Sequence, residues 1–181
     1  MTKHLKAAVL CLGLAIPLQH GPTCAAPQHK SAPPAPIPAQ ILTAKKVFIA
    51  NGGGDESRYD VSYSGGPDRA YNEFYAAMKT WGRYELVAAP GDADLVFEIR
   101  LTVVQLQHPR ALADDSVAYD SRLRLVIRDL KTHETLWGVT EHAQEAVLQG
   151  NRDKNFEQAL AAIVAEVQRI AGPAAADTAK N

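Results

Sequence analysis

The stretch DADLVFEIRLTVVQ, residues 92–105, constrains this chain more than any other. Leu95, Phe97, Ile99, Leu101 and Val103 alternate with Val96, Glu98, Arg100, Thr102 and Val104. A period of two places one set on each face of a strand, and no helix would gather the apolar set on one side. One face is apolar and the other mostly polar, which requires a sheet covered by other elements on one side only.

The rest of the chain supplies the cover. Residues 45–50 form a short β-rich run ended by Asn51 and glycines. Residues 51–66 hold five of the twelve glycines and read as a loop. Pro67 and Asp68 begin a helix, with Pro at its first turn and Asp68 at its positive end. Tyr71, Phe74, Tyr75, Met78 and Trp81 fall on one stripe of that helix, as core residues do, and Gly82 ends it. Residues 84–88 read as a second strand. Residues 117–129 read as a fourth strand, with Leu123, Leu125 and Ile127 on one face and Arg122, Arg124 and Arg128 on the other. DLKTHET is a turn, and residues 136–147 return as the partner strand of a hairpin. Residues 151–171 form an amphipathic helix with Phe156, Leu160, Ile163, Val167 and Ile170 on one stripe, Asn151 as N-cap and Asp153 in the first turn. The order β-α-β-β-β-β-α predicts an α/β (α+β) two-layer sandwich. A mixed sheet of about five strands would carry both helices on one face.

The ends of the chain concern compartment. Lys3, His4 and Lys6 precede an apolar run at residues 7–16 that is too short to span a bilayer. Pro17 and Pro22 follow, and Thr23-Cys24-Ala25 offers a cleavage site before Ala26. Residues 1–25 therefore read as a signal peptide, and the chain as exported, to the periplasm or beyond the cell. Cys11 and Cys24 are the only cysteines, so cleavage after Ala25 leaves none for a disulfide, a thiolate nucleophile or a metal. A lipid anchor on Cys24 is the alternative, disfavoured because Gly21-Pro22-Thr23 lacks the lipobox pattern. Residues 26–40 hold five of the eleven prolines and read as a stiff Pro/Ala-rich linker. Residues 41–171 have the length of one domain, and residues 172–181 read as a disordered tail. The 19 basic residues less Lys3 and Lys6 leave 17 against 20 acidic ones, so no basic excess invites nucleic acid. No second long apolar run suggests a transmembrane span.

DADLVFEIRL, RLVIRDLKTHETLWGVTEHAQ and NRDKNFEQALAAIVAEV together resemble a group of uncharacterised exported bacterial proteins. In element order alone the chain also resembles the small α/β domain of envelope proteins, namely the TolB amino-terminal domain and the curli-assembly lipoprotein. The resemblance implies an extracytoplasmic, non-enzymatic domain. It supplies no catalytic residue, and no propeller repeats follow the domain.

Each candidate chemistry in the residues meets an obstacle. VFIANGGGDES ends a strand in glycines, and Gly52, Gly53, Gly54 and Ser57 are the residues a phosphate-binding loop would use. The segment lacks the lysine of a nucleotide-binding loop, its helix starts late, and Asp55, Glu56 and Asp60 repel anions. HETLW at His133 has Trp137 where a zinc motif needs its second histidine. His108 and His142 are scattered, and neither Asp92 with Asp94 nor Asp114 with Asp115 supplies a calcium loop. No serine sits in a nucleophile elbow. Glu98 could work with Asp120 or Glu141 as a carboxylate pair only if the sheet brought them together. A charged outer sheet face formed by Glu98, Arg100, Arg122, Arg124, Arg128 and Glu141 is the simpler reading.

Accordingly no catalytic residue, cofactor or metal is assigned. The expectation is a protein-binding module of the cell envelope with an envelope protein as partner. The expected partner face is Arg100, Arg122, Arg124, Arg128 and Trp137, the last placed either there or in the core. The alternative is a small-ligand or anion-binding module at the 51–66 loop, with or without hydrolase activity.

Overall fold

The computed structural model describes residues 35–54, 63–106 and 118–173. Along the chain come α1 (Ala39–Thr43), β1 (Lys46–Gly54), α2 (Arg69–Trp81), β2 (Glu85–Leu86), β3 (Leu95–Leu106), β4 (Ala118–Asp129), β5 (Thr135–Ala143) and α3 (Gln149–Ala171). All belong to one compact unit that begins at Pro36. The five strands form one sheet in the order β2-β1-β3-β4-β5. β1 runs parallel to β2 and β3, and β3, β4 and β5 form an antiparallel meander.

β3 lies at the centre, with its apolar set turned to the covered side. Leu95, Phe97, Ile99, Leu101 and Val103 are all buried. Val47 and Ile49 from β1 and Leu123, Leu125 and Ile127 from β4 extend the same apolar face. Phe74 and Met78 of α2 and Phe156, Ile163, Val167 and Ile170 of α3 join them in one core. Each side chain of this size contributes about 1.5–3 kcal/mol when removed from water. The predicted two-layer arrangement holds, with a third short helix added. α1 sits at the expected linker–domain boundary, and its Ile41 is fully buried in the same core.

β2, β5 and α3 are bounded differently from the sequence reading. β2 is two residues long. β5 stops at Ala143, leaving Val147 and Leu148 exposed. α3 begins at Gln149 rather than Asn151, with no side-chain cap. Asp153 serves a tertiary contact, accepting hydrogen bonds from the Ser64 amide at 2.8 Å and its hydroxyl at 2.9 Å. α2 ends as predicted. Gly82 adopts the left-handed conformation (φ 68°), and its amide donates to the Met78 carbonyl at 3.1 Å.

Asp94 anchors β1 to β3. Its carboxylate accepts the Lys45 and Lys46 amides at 2.9 and 3.0 Å. Those two donors hold its pKa below the usual carboxylate value. A depressed folded pKa means the stabilisation is complete above the unfolded pKa and is lost as pH falls through the folded one. Asp94→Asn is expected to cost about 1 kcal/mol at pH 7. The gap between wild type and variant in urea melts should stay constant from neutral pH down to about 5, then close below the ordinary carboxylate range.

Candidate functional site

The face of the sheet opposite the helices is covered by no described element. Its residues are set by register. Rows across β3, β4 and β5 read Glu98–Val126–Gly138, Arg100–Arg124–Thr140 and Thr102–Arg122–His142. Val96 and Arg128 form a neighbouring row. Arg100, Arg122, Arg124 and Arg128 therefore share one face, as their alternation predicts.

Two of these arginines are neutralised at once. Arg128 donates to Glu98 at 2.9 Å, and Arg122 pairs with Asp120 at 2.5 Å. Asp120 also meets the Nδ1 of His142 at 2.8 Å. Burial works to raise the pKa of Asp120, but hydrogen bonds from Arg122 and His142 hold it below the usual range. Arg100 and Arg124 are different. They lie directly opposite each other on adjacent strands, both exposed, and no acid among the described residues pairs with either. Facing like charges destabilise a strand pair. Each guanidinium offers up to five N–H donors in a planar fork and accepts nothing. The centre of the open face thus presents two neighbouring forks with no acid partner among the described residues, and the Thr140 hydroxyl at the end of their row.

Beside them is an apolar strip. Val126 is only 8% exposed although no described helix covers it, and Phe48 and Val96 are half-buried. Glu98 stands opposite Val126 in the register, and Arg124 and Arg128 flank it on the same face, where long aliphatic stems can cover apolar surface. Arginine and aromatic side chains around a partly dry apolar centre are the composition of a protein-binding patch.

Two residues expected on this face lie elsewhere. Glu141 pairs with Leu123, and Trp137 with Ile127, so both point to the helix side. Trp137 is half-buried against the core and lines a groove with Glu141, Glu166 and Arg169. The contemplated carboxylate pairs do not form: Glu98 holds Arg128, Asp120 holds Arg122 and His142, and Glu141 is on the far side of the sheet.

The glycine segment is also corrected in part. Gly52, Gly53 and Gly54 belong to β1 rather than to a loop, with an irregularity between Asn51 and Gly54. Gly53 takes φ 74°, and its amide donates to the Asn51 side chain at 2.9 Å. Asn51 in turn donates to Asp68 at 2.7 Å. A Cβ on Gly52 would stand 3.0 Å from the Ile99 carbonyl and 3.1 Å from the Arg100 Cβ. Gly52 is there because β1 and β3 approach closely. Gly52→Ala should cost about 1–3 kcal/mol, read as a lower urea midpoint with an unchanged slope. Ser57, His108, Asp114 and Asp115 lie outside the described residues.

A hollow of about 250 Å³ lies among Gln40, Thr43, Lys45, Asp94, Asp129 and Lys131. Its carboxylates are already engaged by backbone, Asp94 by Lys45 and Lys46 and Asp129 by the Lys131 and Thr132 amides at 2.7 and 3.0 Å. Among the described residues no three histidine, aspartate or glutamate side chains are grouped to hold a metal ion. None of their helices is long and apolar enough to cross a membrane.

Fold and surface together define a two-layer α/β domain with one open, arginine-bearing sheet face. No protein-family model matches the chain, and no curated protein matches it. Among solved structures it is similar to protein XCC0632 of Xanthomonas campestris, assigned to the DUF330 family, at 13% identity and a TM-score of 0.46, covering 72% of this chain and 83% of that one. It is similar to PelC of Paraburkholderia phytofirmans, crystallised as a dodecamer, at 12% identity and a TM-score of 0.42, covering 71% and 88%. A neuraminyllactose-binding hemagglutinin homolog of Helicobacter pylori matches at 12% identity and 0.44, covering 70% and 85%. At this level of similarity neither a substrate nor a partner passes from them to this chain, and none of the three is the TolB or curli-assembly domain.

Proposed function

We propose that this chain is an exported, non-catalytic module that binds a protein of the cell envelope through the open face of its sheet. The observation that carries the reading is the facing pair Arg100 and Arg124, exposed and without an acid partner among the described residues, beside the Phe48–Val96–Val126 strip. Such a surface suits a partner segment that brings a carboxylate to the arginine forks and an apolar side chain to the strip. The N-terminal sequence supports the compartment, and the proline-rich stretch after it supplies a spacer.

Immobilised chain should retain an envelope protein from extract. The double variant Arg100→Glu/Arg124→Glu should weaken that retention by about tenfold or more, the equivalent of about 1.4 kcal/mol. Retention unchanged by the double reversal would refute the role of this face. Mass spectrometry of the mature protein should find Ala26 as the first residue; a lipid-modified Cys24 would replace a free domain by an anchored one.

A further inference from the structure

At one end of the open face a single carboxylate serves two bases. One Asp120 oxygen accepts from the Arg122 Nε at 2.7 Å, and the other meets the Nδ1 of His142 at 2.8 Å. Burial opposes the Asp120 charge, but the bonds from Arg122 and His142 prevail and hold its pKa below the usual carboxylate value. An ionised carboxylate only accepts, so the Nδ1 of His142 must carry the proton. Nε2 is then the nitrogen that titrates. The His142 side chain is 59% exposed, and no described residue bonds its Nε2. Arg122 stands directly opposite on β4, with Thr102 of β3 completing the row. Arg124 and Thr140 belong to the next row of the same face. On the helix side His142 shares a hollow with Glu141, and the polar residues that α3 brings there, Asn155 and Gln158, are uncharged.

We propose that His142 is a proton gate on the arginine face, tightening that face's hold on anionic groups as pH falls. The inference rests on the reading of the face as a binding surface. Across β3, β4 and β5 the described residues of this face carry Arg100, Arg122, Arg124 and Arg128 against Glu98 and Asp120, an excess of two positive charges. Protonation at Nε2 raises the excess to three. It also turns the exposed nitrogen from an acceptor into a donor. Nδ1 donates to Asp120 in both states, so the ring keeps its place while its outer edge changes character. The arginines stay charged throughout, and histidine is the side chain that changes charge near neutral pH. Arg100 and Arg124, which lack an acid partner among the described residues, lie in the next row. A row is about 7 Å along the strands, within the screening length of about 8–10 Å at ordinary salt. The added charge therefore acts on the same anion as the two free forks.

Long-range nitrogen NMR on the purified chain should show the His142 ring with Nδ1 protonated and Nε2 bare at about pH 8, and both protonated at about pH 5. The opposite tautomer at the higher pH overturns the proposal. Binding is read on immobilised dextran sulfate, whose sulfates stay charged across this range. In low salt the wild type should bind about threefold tighter at about pH 5.5 than at about pH 7.5. His142→Gln, neutral at both, should lose most of that gain, with circular dichroism confirming that it is folded. A gain in His142→Gln as large as that of the wild type overturns the gate. Arg100→Glu/Arg124→Glu tells the two failures apart. Wild-type binding in that variant refutes the arginine face itself. Binding lost in that variant, together with a pH gain indifferent to His142, refutes the gate alone.

Discussion

Arg69→Ala is expected to cost about 3–5 kcal/mol of folding stability, the cost of removing one partner from a buried ion pair. The side chain is 9% exposed, in the first turn of α2. Its guanidinium donates to Glu73 at 2.6 Å, to Asp153 at 2.9 Å, to Glu157 at 3.2 Å and to the Ser64 carbonyl at 3.2 Å. It also lies 4.4 Å above the Phe156 ring. Burial works against its charge, but the bonds to Glu73 and Asp153 prevail and raise its pKa. The three carboxylates do not count equally. Glu157 is largely in water and contributes little, whereas Asp153 is 19% exposed and loses a charge partner that solvent replaces poorly. Total stability for a domain is about 5–15 kcal/mol, so the variant should lose roughly 10–20 °C in Tm. A loss under about 1 kcal/mol would show that Ser64 and Gln149 hold Asp153 without the arginine.

Phe156→Ala is expected to cost about 3–5 kcal/mol for a different reason, the lost transfer energy of the ring and the cavity left behind. The ring is completely buried, packed against Tyr63 at a centroid distance of 5.4 Å and against Arg69. The two changes share that contact, so the double variant should lose less than the sum, by about 0.5–2 kcal/mol. Strict additivity in urea melts would mean that Arg69 acts through its carboxylates alone.

Neither effect is legible in the chain. An arginine in a first helical turn reads as an exposed charge, and it becomes buried only because the start of α3 folds over it. The same tertiary contact engages Asp153, which the sequence places only as an acid in the first turn of the helix. The sheet is far more legible. The alternation in β3 and β4 assigns their side chains to the correct faces, since a period of two leaves no freedom once one face is apolar. β5 resists because Leu136 and Trp137 are adjacent and both apolar, so either phase fits. The irregularity opposite Ile127 and Arg128 decides it, sending Trp137 and Glu141 to the helix side. The glycines of β1 mislead through composition. They look like loop residues, yet Gly52 is needed for the close approach of two strands, and Gly53 supplies the positive φ of the irregularity.

The role of the open face is tested most directly by photo-crosslinking in cells, with a photoreactive residue at Thr102 or Thr140 beside Arg100 and Arg124 and a control at Lys79 on α2. The account predicts a discrete adduct from both sheet positions, none from Lys79, and loss of the adduct on Arg100→Glu/Arg124→Glu. Adducts at Lys79 alone, or adducts at 102 and 140 that persist after the double reversal, would contradict it.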